Sequence, residues 1–184
     1  MIPAINGGHD PGAANLAVGV QEKTLNLQIS LALRERLLDG GHSVVLTRDG
    51  DRFVTLSDRV ALSRAHRAEA FVSIHCNAAA NKEARGMEVW TSPGKTAADA
   101  MAEAVGVSLA AHFLEVPLRK DDSDGDLDKE GRLYVLTMTR CPAVLVECGF
   151  VSHDDEARLL QDPERQLAIA EAIARGISKW GGAA

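Results

Sequence analysis

At 184 residues, 46% hydrophobic and 25% charged, the chain has the size and composition of one globular domain spanning residues 1–184. A net charge of −6 excludes a general nucleic-acid binder, which needs clustered Lys and Arg, and leaves no polybasic handle for an anionic membrane. No apolar run approaches the ~20 residues of a membrane span, and residues 1–8 lack the basic start and apolar stretch of a secretion signal.

Short β-like runs alternate with helical stretches, without repeats, linkers or a compositional break. Residues 2–6 read as a first strand leading into the turn-rich Gly7-Gly8-His9-Asp10-Pro11-Gly12. Residues 25–38 form a helix stopped by Gly40-Gly41, with leucines on more than one narrow stripe, so it is well buried. A strand follows at 44–46, and Thr55 with Asp58 can cap a helix running to about Arg67. Residues 71–75 are a β-branched run suited to a central strand, and 87–90 make another behind Gly86. Met101, Val105, Leu109 and His112 share one face of a helix that starts near Thr96, which places His112 among packed residues. After an acidic loop at 121–130, residues 133–136 and 143–146 read as two more strands. Asp162-Pro163 opens the last helix, whose apolar face carries Ala170, Ile173, Ile177 and Trp180. The sum is an α/β domain of three layers: about six strands in a mostly parallel or mixed sheet with helices on both faces.

Ligands of open α/β sheets collect where loops leave the strand ends. His9 follows the first strand, His75 closes a central strand and Glu147 closes a late one, while Glu22 lies just ahead of the first helix. Two imidazoles and a carboxylate are the ligand set of a catalytic zinc, which leaves a fourth position for water and lowers its pKa to ~7. A further carboxylate, off the metal, is then needed to move the proton from water to the leaving amine. Four residues can fill those roles, although spacing by itself does not assign them.

The motifs carry more. Gly7-Gly8-His9-Asp10-Pro11-Gly12-Ala13, Gly19-Val20-Gln21-Glu22-Lys23-Thr24-Leu25-Asn26-Leu27, Ser73-Ile74-His75-Cys76-Asn77-Ala78 and Pro142-Ala143-Val144-Leu145-Val146-Glu147-Cys148-Gly149-Phe150 stand in that order along the chain. Together they resemble the four motifs of the zinc-dependent N-acetylmuramoyl-L-alanine amidases of the amidase 3 type. Lesser matches at Leu46-Thr47-Arg48-Asp49, Leu56-Ser57-Asp58-Arg59-Val60 and Leu133-Tyr134-Val135-Leu136 extend the resemblance over nearly the whole chain. The resemblance implies one zinc ion held by His9, Glu22 and His75, with Glu147 as general base and then acid. It implies hydrolysis of the amide between the lactyl group of N-acetylmuramic acid and L-alanine in peptidoglycan. Asn77, Arg59 and Arg48 are candidates for binding that substrate, the two arginines through its carboxylates; Arg59 on a helix can equally pin the domain by ion pairing.

Two other readings remain at this point: a zinc peptidase cutting another wall peptide bond, and an inert wall-binding module. A Cys–His nucleophile pair is a third possible chemistry. If the strands stay extended, however, Cys76 and Cys148 point away from His75 and Glu147 as packing residues. Three cysteines, Cys76, Cys141 and Cys148, without a CxxC pair, also speak against a disulfide scaffold or a four-cysteine zinc site. His42 and His66 read as exposed, and His153, where the family usually has Asn, as a helix cap. The acidic segment lacks the glycine placement of an EF-hand and reads as a solvated loop beside the substrate groove. Only residues 79–85 separate the third motif from Gly86, too few for the helical plug some family members carry, so the site is expected to be open, in a monomer, without an activator protein. No room is left after Trp180 for a wall-binding domain. The expected setting is a phage-type enzyme, cytoplasmic as made and released to the wall by another route. A bacterial extracellular or periplasmic domain whose signal was removed would read the same.

Overall fold

The computed structural model describes residues 12–123 and 125–182 and the backbone of 3–6. The elements run β1 (Pro3–Asn6), β2 (Ala14–Asn15), β3 (Val20–Gln21), α1 (Glu22–Asp39), β4 (Val45–Leu46), α2 (Leu56–Ala65) and β5 (Ala70–Asn77). They continue as β6 (Glu88–Thr91), α3 (Asp99–His112), β7 (Lys129–Glu130), α4 (Tyr134–Met138), β8 (Ala143–Phe150), α5 (Asp154–Leu159) and α6 (Pro163–Gly181).

Six strands pair in the order β4-β1-β5-β8-β6-β7, all neighbours parallel except β8 and β6. Strand alternation then sorts the side chains onto two faces. Val72, Ile74 and Cys76 of β5, Val144, Val146 and Cys148 of β8 and Val89 of β6 join the main core, with Leu25, Ile29, Leu33 and Leu37 of α1 and the buried faces of α3 and α6. On the opposite face Phe71, Ala143 and Leu145 pack with Val60 of α2 and with Val135 and Leu136 of α4. The mixed sheet with helices on both faces is the expected architecture. Further along the second face the cover thins, and His75 and Glu147 are only half-buried.

Side-chain caps mark three of the helix starts. The Thr55 hydroxyl accepts the Asp58 N–H at 3.1 Å, and Asp162 accepts that of Glu164 at 2.9 Å, with Pro163 in the first turn. His153 Nδ1 faces the Glu156 N–H at 3.4 Å, so this histidine sits at the start of α5 as expected. The start of α3 lies beyond Thr96 because the Thr96 N–H and hydroxyl both turn onto the Asp99 carboxylate, each at 2.8 Å.

Two expectations are corrected. Residues 133–136 do not form a strand: Leu133 is extended, but Tyr134–Met138 is a helical turn. Val135 and Leu136 are consecutive and both buried, which a helical turn against one surface allows and strand alternation does not. The edge strand comes instead from β7, at the end of the acidic stretch, where Trp90 pairs with Lys129 and Thr91 with Glu130. His112 is exposed rather than packed, with its ring edge-on to Phe113 at 4.8 Å. The buried face of α3 ends one turn earlier, at Leu109.

Candidate functional site

The register of three strands makes the site. His75 on β5 pairs with Glu147 on β8, and Glu147 pairs with Glu88 on β6. Paired residues share a sheet face, so imidazole, carboxyl and carboxylate stand side by side, with neighbouring Cβ atoms about 5 Å apart. The row lies toward the C-terminal ends of β5 and β8, where α/β sheets bind ligands.

Glu22 joins this row from outside the sheet. The β2–β3 hairpin leads directly into α1, of which Glu22 is the first residue, so its carboxylate also suits the positive end of the helix dipole. The Glu22 N–H donates to the Ala13 carbonyl and the Ala13 N–H returns a bond to Glu22 Oε2, both at 2.8 Å. Asn26, one turn on, donates to Oε1 at 2.9 Å, and a ring nitrogen of His75 meets the same oxygen at 3.0 Å. Burial alone would raise this acid; the His75 contact, then the Ala13 and Asn26 bonds, outweigh it and bring the pKa to about 2. The second His75 nitrogen lies 3.1 Å from the Ser73 hydroxyl.

Glu147 is held differently. Its Oε2 is buried and has no hydrogen-bond partner among the described residues. Burial first, then the negative charges of Glu22 and Glu88, push its pKa up to about 8. An unpaired, proton-retaining carboxyl between an imidazole and a second acid is suited to general acid–base chemistry.

Glu88, 2% exposed, was not singled out from sequence. Its Oε1 accepts from Arg119 Nε at 2.7 Å and Lys129 Nζ at 2.9 Å; its Oε2 accepts from Trp90 Nε1 at 2.9 Å and Asn77 Nδ2 at 3.2 Å. Burial would raise this acid, but the Lys129, Arg119 and Trp90 bonds and the Lys129 charge outweigh it and hold it below the usual carboxylate range. The signal was present: a Glu inside the otherwise apolar Met87-Glu88-Val89-Trp90 needs partners if that strand is covered. Asn77, expected at the substrate, is thus beside the site with its amide engaged by Glu88.

Arg48 and Arg59 are not brought to this row. Arg48, 2% exposed, donates to the Lys23 carbonyl at 2.5 Å and the Gly50 carbonyl at 3.1 Å. Arg59 is fully buried and donates to the Val54 carbonyl at 2.9 Å; burial, then the Arg48 charge, lowers its pKa to about 10. Both candidates for the substrate carboxylates are thus buried with bonds to backbone carbonyls, the arrangement of residues that frame the fold. Arg48 still serves the site by fixing the backbone next to Glu22. Cys76 and Cys148 are 1% and 2% exposed in the core on the opposite face. Burial first raises both thiols, which removes the Cys–His alternative.

His9 lies outside the described residues. Among the described residues no group of three His, Cys, Asp or Glu side chains is placed to hold a metal ion, but Glu22 and His75 converge. Two ligands of a tetrahedral zinc, each ~2.0–2.2 Å from it, stand roughly 3.3 Å apart. The 3.0 Å between Glu22 Oε1 and the His75 nitrogen fits that donor geometry.

A family model described as N-acetylmuramoyl-L-alanine amidase matches residues 1–179. The structure of N-acetylmuramoyl-L-alanine amidase AmiC2 of Nostoc punctiforme superposes with a TM-score of 0.90 at 34% identity, covering 99% of this chain and 97% of that one. The CwlD amidase from Clostridioides difficile, solved in complex with the GerS lipoprotein, gives 0.86 at 28% identity, covering 100% and 99%. An endolysin of Bacillus phage SPP1 is 33% identical over 179 residues, covering 97% of this chain and 64% of that protein. The chain spans from 52% to 82% of the length of the first two curated bacterial relatives it matches.

Proposed function

The chain belongs to the N-acetylmuramoyl-L-alanine amidase family, and from that premise we propose how its own residues divide the work of cutting peptidoglycan. It is a hydrolase of the amide between the lactyl group of N-acetylmuramic acid and L-alanine. His9, Glu22 and His75 would hold one zinc ion. Zinc there supplies Lewis acidity toward the carbonyl and water, and a positive charge that favours the ionised form of nearby acids. Asn26 and the Ala13 N–H aim the Glu22 carboxylate, and Ser73 orients the His75 ring.

Glu147 is the catalytic acid–base. It takes a proton from the attacking water as the oxygen–carbon bond forms. It returns that proton to the L-alanine nitrogen as the carbon–nitrogen bond breaks, leaving a free amine and a lactyl carboxylic acid that ionises to solvent. The observation that carries this role is the buried Glu147 Oε2, without a hydrogen-bond partner among the described residues, standing between His75 and Glu88.

Glu147→Gln should retain zinc and lose wall lysis, whereas His75→Ala should lose zinc. A Glu147→Gln variant that lyses walls at the normal rate would sink the mechanism. Mass spectrometry of the digest distinguishes the bond cut: new N-terminal L-alanine on intact stems supports the amidase, and any other new terminus supports a wall peptidase.

The route to the wall is open to the same kind of test. A phage endolysin is among the relatives, and among the described residues no helix is long and apolar enough to cross a membrane. The short connection between β5 and β6, exposed at 80–83, supports access without a displaced segment. Purified protein should therefore lyse walls without a partner; strict dependence on an added protein would overturn this.

A further inference from the structure

The anion of the Glu88 cluster lies inside and its cations lie outside. The Glu88 side chain is 3% exposed, against 41% for Arg119 and 21% for Lys129. One carboxylate faces two cations, with Asp121 of the acidic loop also within electrostatic reach of Lys129, and the two cationic head groups form the outer side of the cluster. The Arg119 side chain uses only Nε on Glu88, and the Lys129 ammonium one of its three donors; neither head group has another hydrogen-bond partner among the described residues. Both head groups are held against aromatic rings, Arg119 5.4 Å from the Phe150 centroid and Lys129 5.5 Å from that of Trp90. The Arg119 backbone is pinned as well, its N–H donating to the Met87 carbonyl at 2.8 Å.

The order of strands gives this surface a direction. The ligand residues Glu22 and His75 lie on one side of Glu147, and Glu88, Arg119 and Lys129 lie on the other. If Glu147 hands its proton to the departing L-alanine nitrogen, the peptide leads away on the side opposite the carbonyl-polarising ligands, toward β6 and β7. We propose that Arg119 and Lys129, braced on Glu88, form the subsite that receives a free carboxylate of the stem peptide on the leaving-group side of the scissile amide. This rests on the amidase reading above, and it moves to Arg119 and Lys129 the carboxylate-binding role that burial denies to Arg48 and Arg59.

The test compares two substrates made from one wall preparation: untreated peptidoglycan, and the same material with its carboxyl groups converted to amides by carbodiimide and ammonia. Release of N-terminal L-alanine is followed against wall concentration for the zinc-loaded enzyme. The wild type should show a KM about tenfold higher on amidated wall, the loss expected for one charge-assisted hydrogen bond. Arg119→Gln and Lys129→Met should each raise KM about tenfold on untreated wall and less than twofold on amidated wall, with kcat within twofold. Arg119→Lys should restore part of the loss. Equal losses on both walls, or a wild type indifferent to amidation, overturn the subsite. No new N-terminal L-alanine from either wall removes the amidase reading itself, and the subsite with it. Lys129→Met carries the test should Arg119→Gln fold poorly.

Discussion

Glu156 ties together the two strands that carry the site acids, and replacing it tests how far the row depends on that tie. It is 8% exposed; its Oε2 accepts the Phe150 N–H at 2.7 Å and its Oε1 the Gly86 N–H at 2.9 Å. Phe150 ends β8 just beyond Glu147, and Gly86 stands just before Glu88. Gly149, at φ +143, brings the Phe150 N–H onto this carboxylate. In Glu156→Gln the amide oxygen can accept from one N–H, while the NH2 group faces the other and leaves it unbonded. A hydrogen bond to a charged group is worth about 1.5–3 kcal/mol, so this loss should cost about 2–3 kcal/mol. For a chain of this size, that is a Tm fall of about 5–10 °C. Glu156→Ala forfeits both bonds and should fall about twice as far. Thermal denaturation followed by circular dichroism measures this, and the lysis rate at 25 °C, where the Gln variant remains folded, should drop about tenfold. A Tm within 2 °C of wild type for Glu156→Gln would refute the reasoning.

Asn26→Ala removes the amide that aims Glu22 Oε1, and zinc affinity measured by chelator competition should weaken about 10- to 100-fold; an unchanged affinity counts against Glu22 as a ligand. Burial, together with the Asp126 and Asp99 charges and against the pull of its Thr91 bond, raises the Asp128 carboxyl from 3.8 to about 6. Because the folded value lies above the unfolded one, the stability this group contributes is full below about pH 4 and is lost as pH rises through about 6. Asp128→Asn should remove that decline, so its Tm should gain on wild type between pH 4.5 and 7.5; parallel curves would contradict the assignment. Gly176→Ala places a Cβ 2.6 Å from the Val105 Cα, where only backbone could yield, so α3 and α6 must separate. A loss of about 1–3 kcal/mol in urea unfolding is expected, and a neutral result would mean the helices slide freely.

Sequence reasoning reached the parts of this site that local pattern encodes. Strand alternation put His75 and Glu147 on side-chain positions opposite to Cys76 and Cys148, and the first-helix pattern left Glu22 at its threshold. It could not reach Glu88, because alternation assigns a face within one strand and says nothing of which residue stands beside it. The antiparallel pairing of β6 with β8 decides that. Arg119 returns to Glu88 only through the bridge of Met87 with Leu118, a contact without a local signature. The misread strand at 133–136 has the same origin: β-branched and leucine residues suit either element, and the pocket between Val60, Phe71 and Leu145 chose the turn. Arg48 and Arg59 looked available because charged residues are rarely buried; here backbone carbonyls made burial possible.

Three neighbouring glutamates show why residue type alone could not assign their roles. Glu22 receives two protein N–H groups and the His75 ring, and is held ionised near pKa 2. Glu88 receives four donors, two of them cationic, and is likewise held ionised. Glu147 stands between these acids with Oε2 unbonded among the described residues; burial first, then the Glu22 and Glu88 charges, raise its pKa above the usual carboxylate range. Carboxyl groups whose surroundings separate their proton affinities in this way are suited to separate tasks: fixed anions on either side, and a proton carrier between them. Glu88, almost fully buried, acts on Glu147 through its charge. Neutralising it should alter the pH profile of hydrolysis as well as its rate, an outcome that a purely structural Glu88 would not produce.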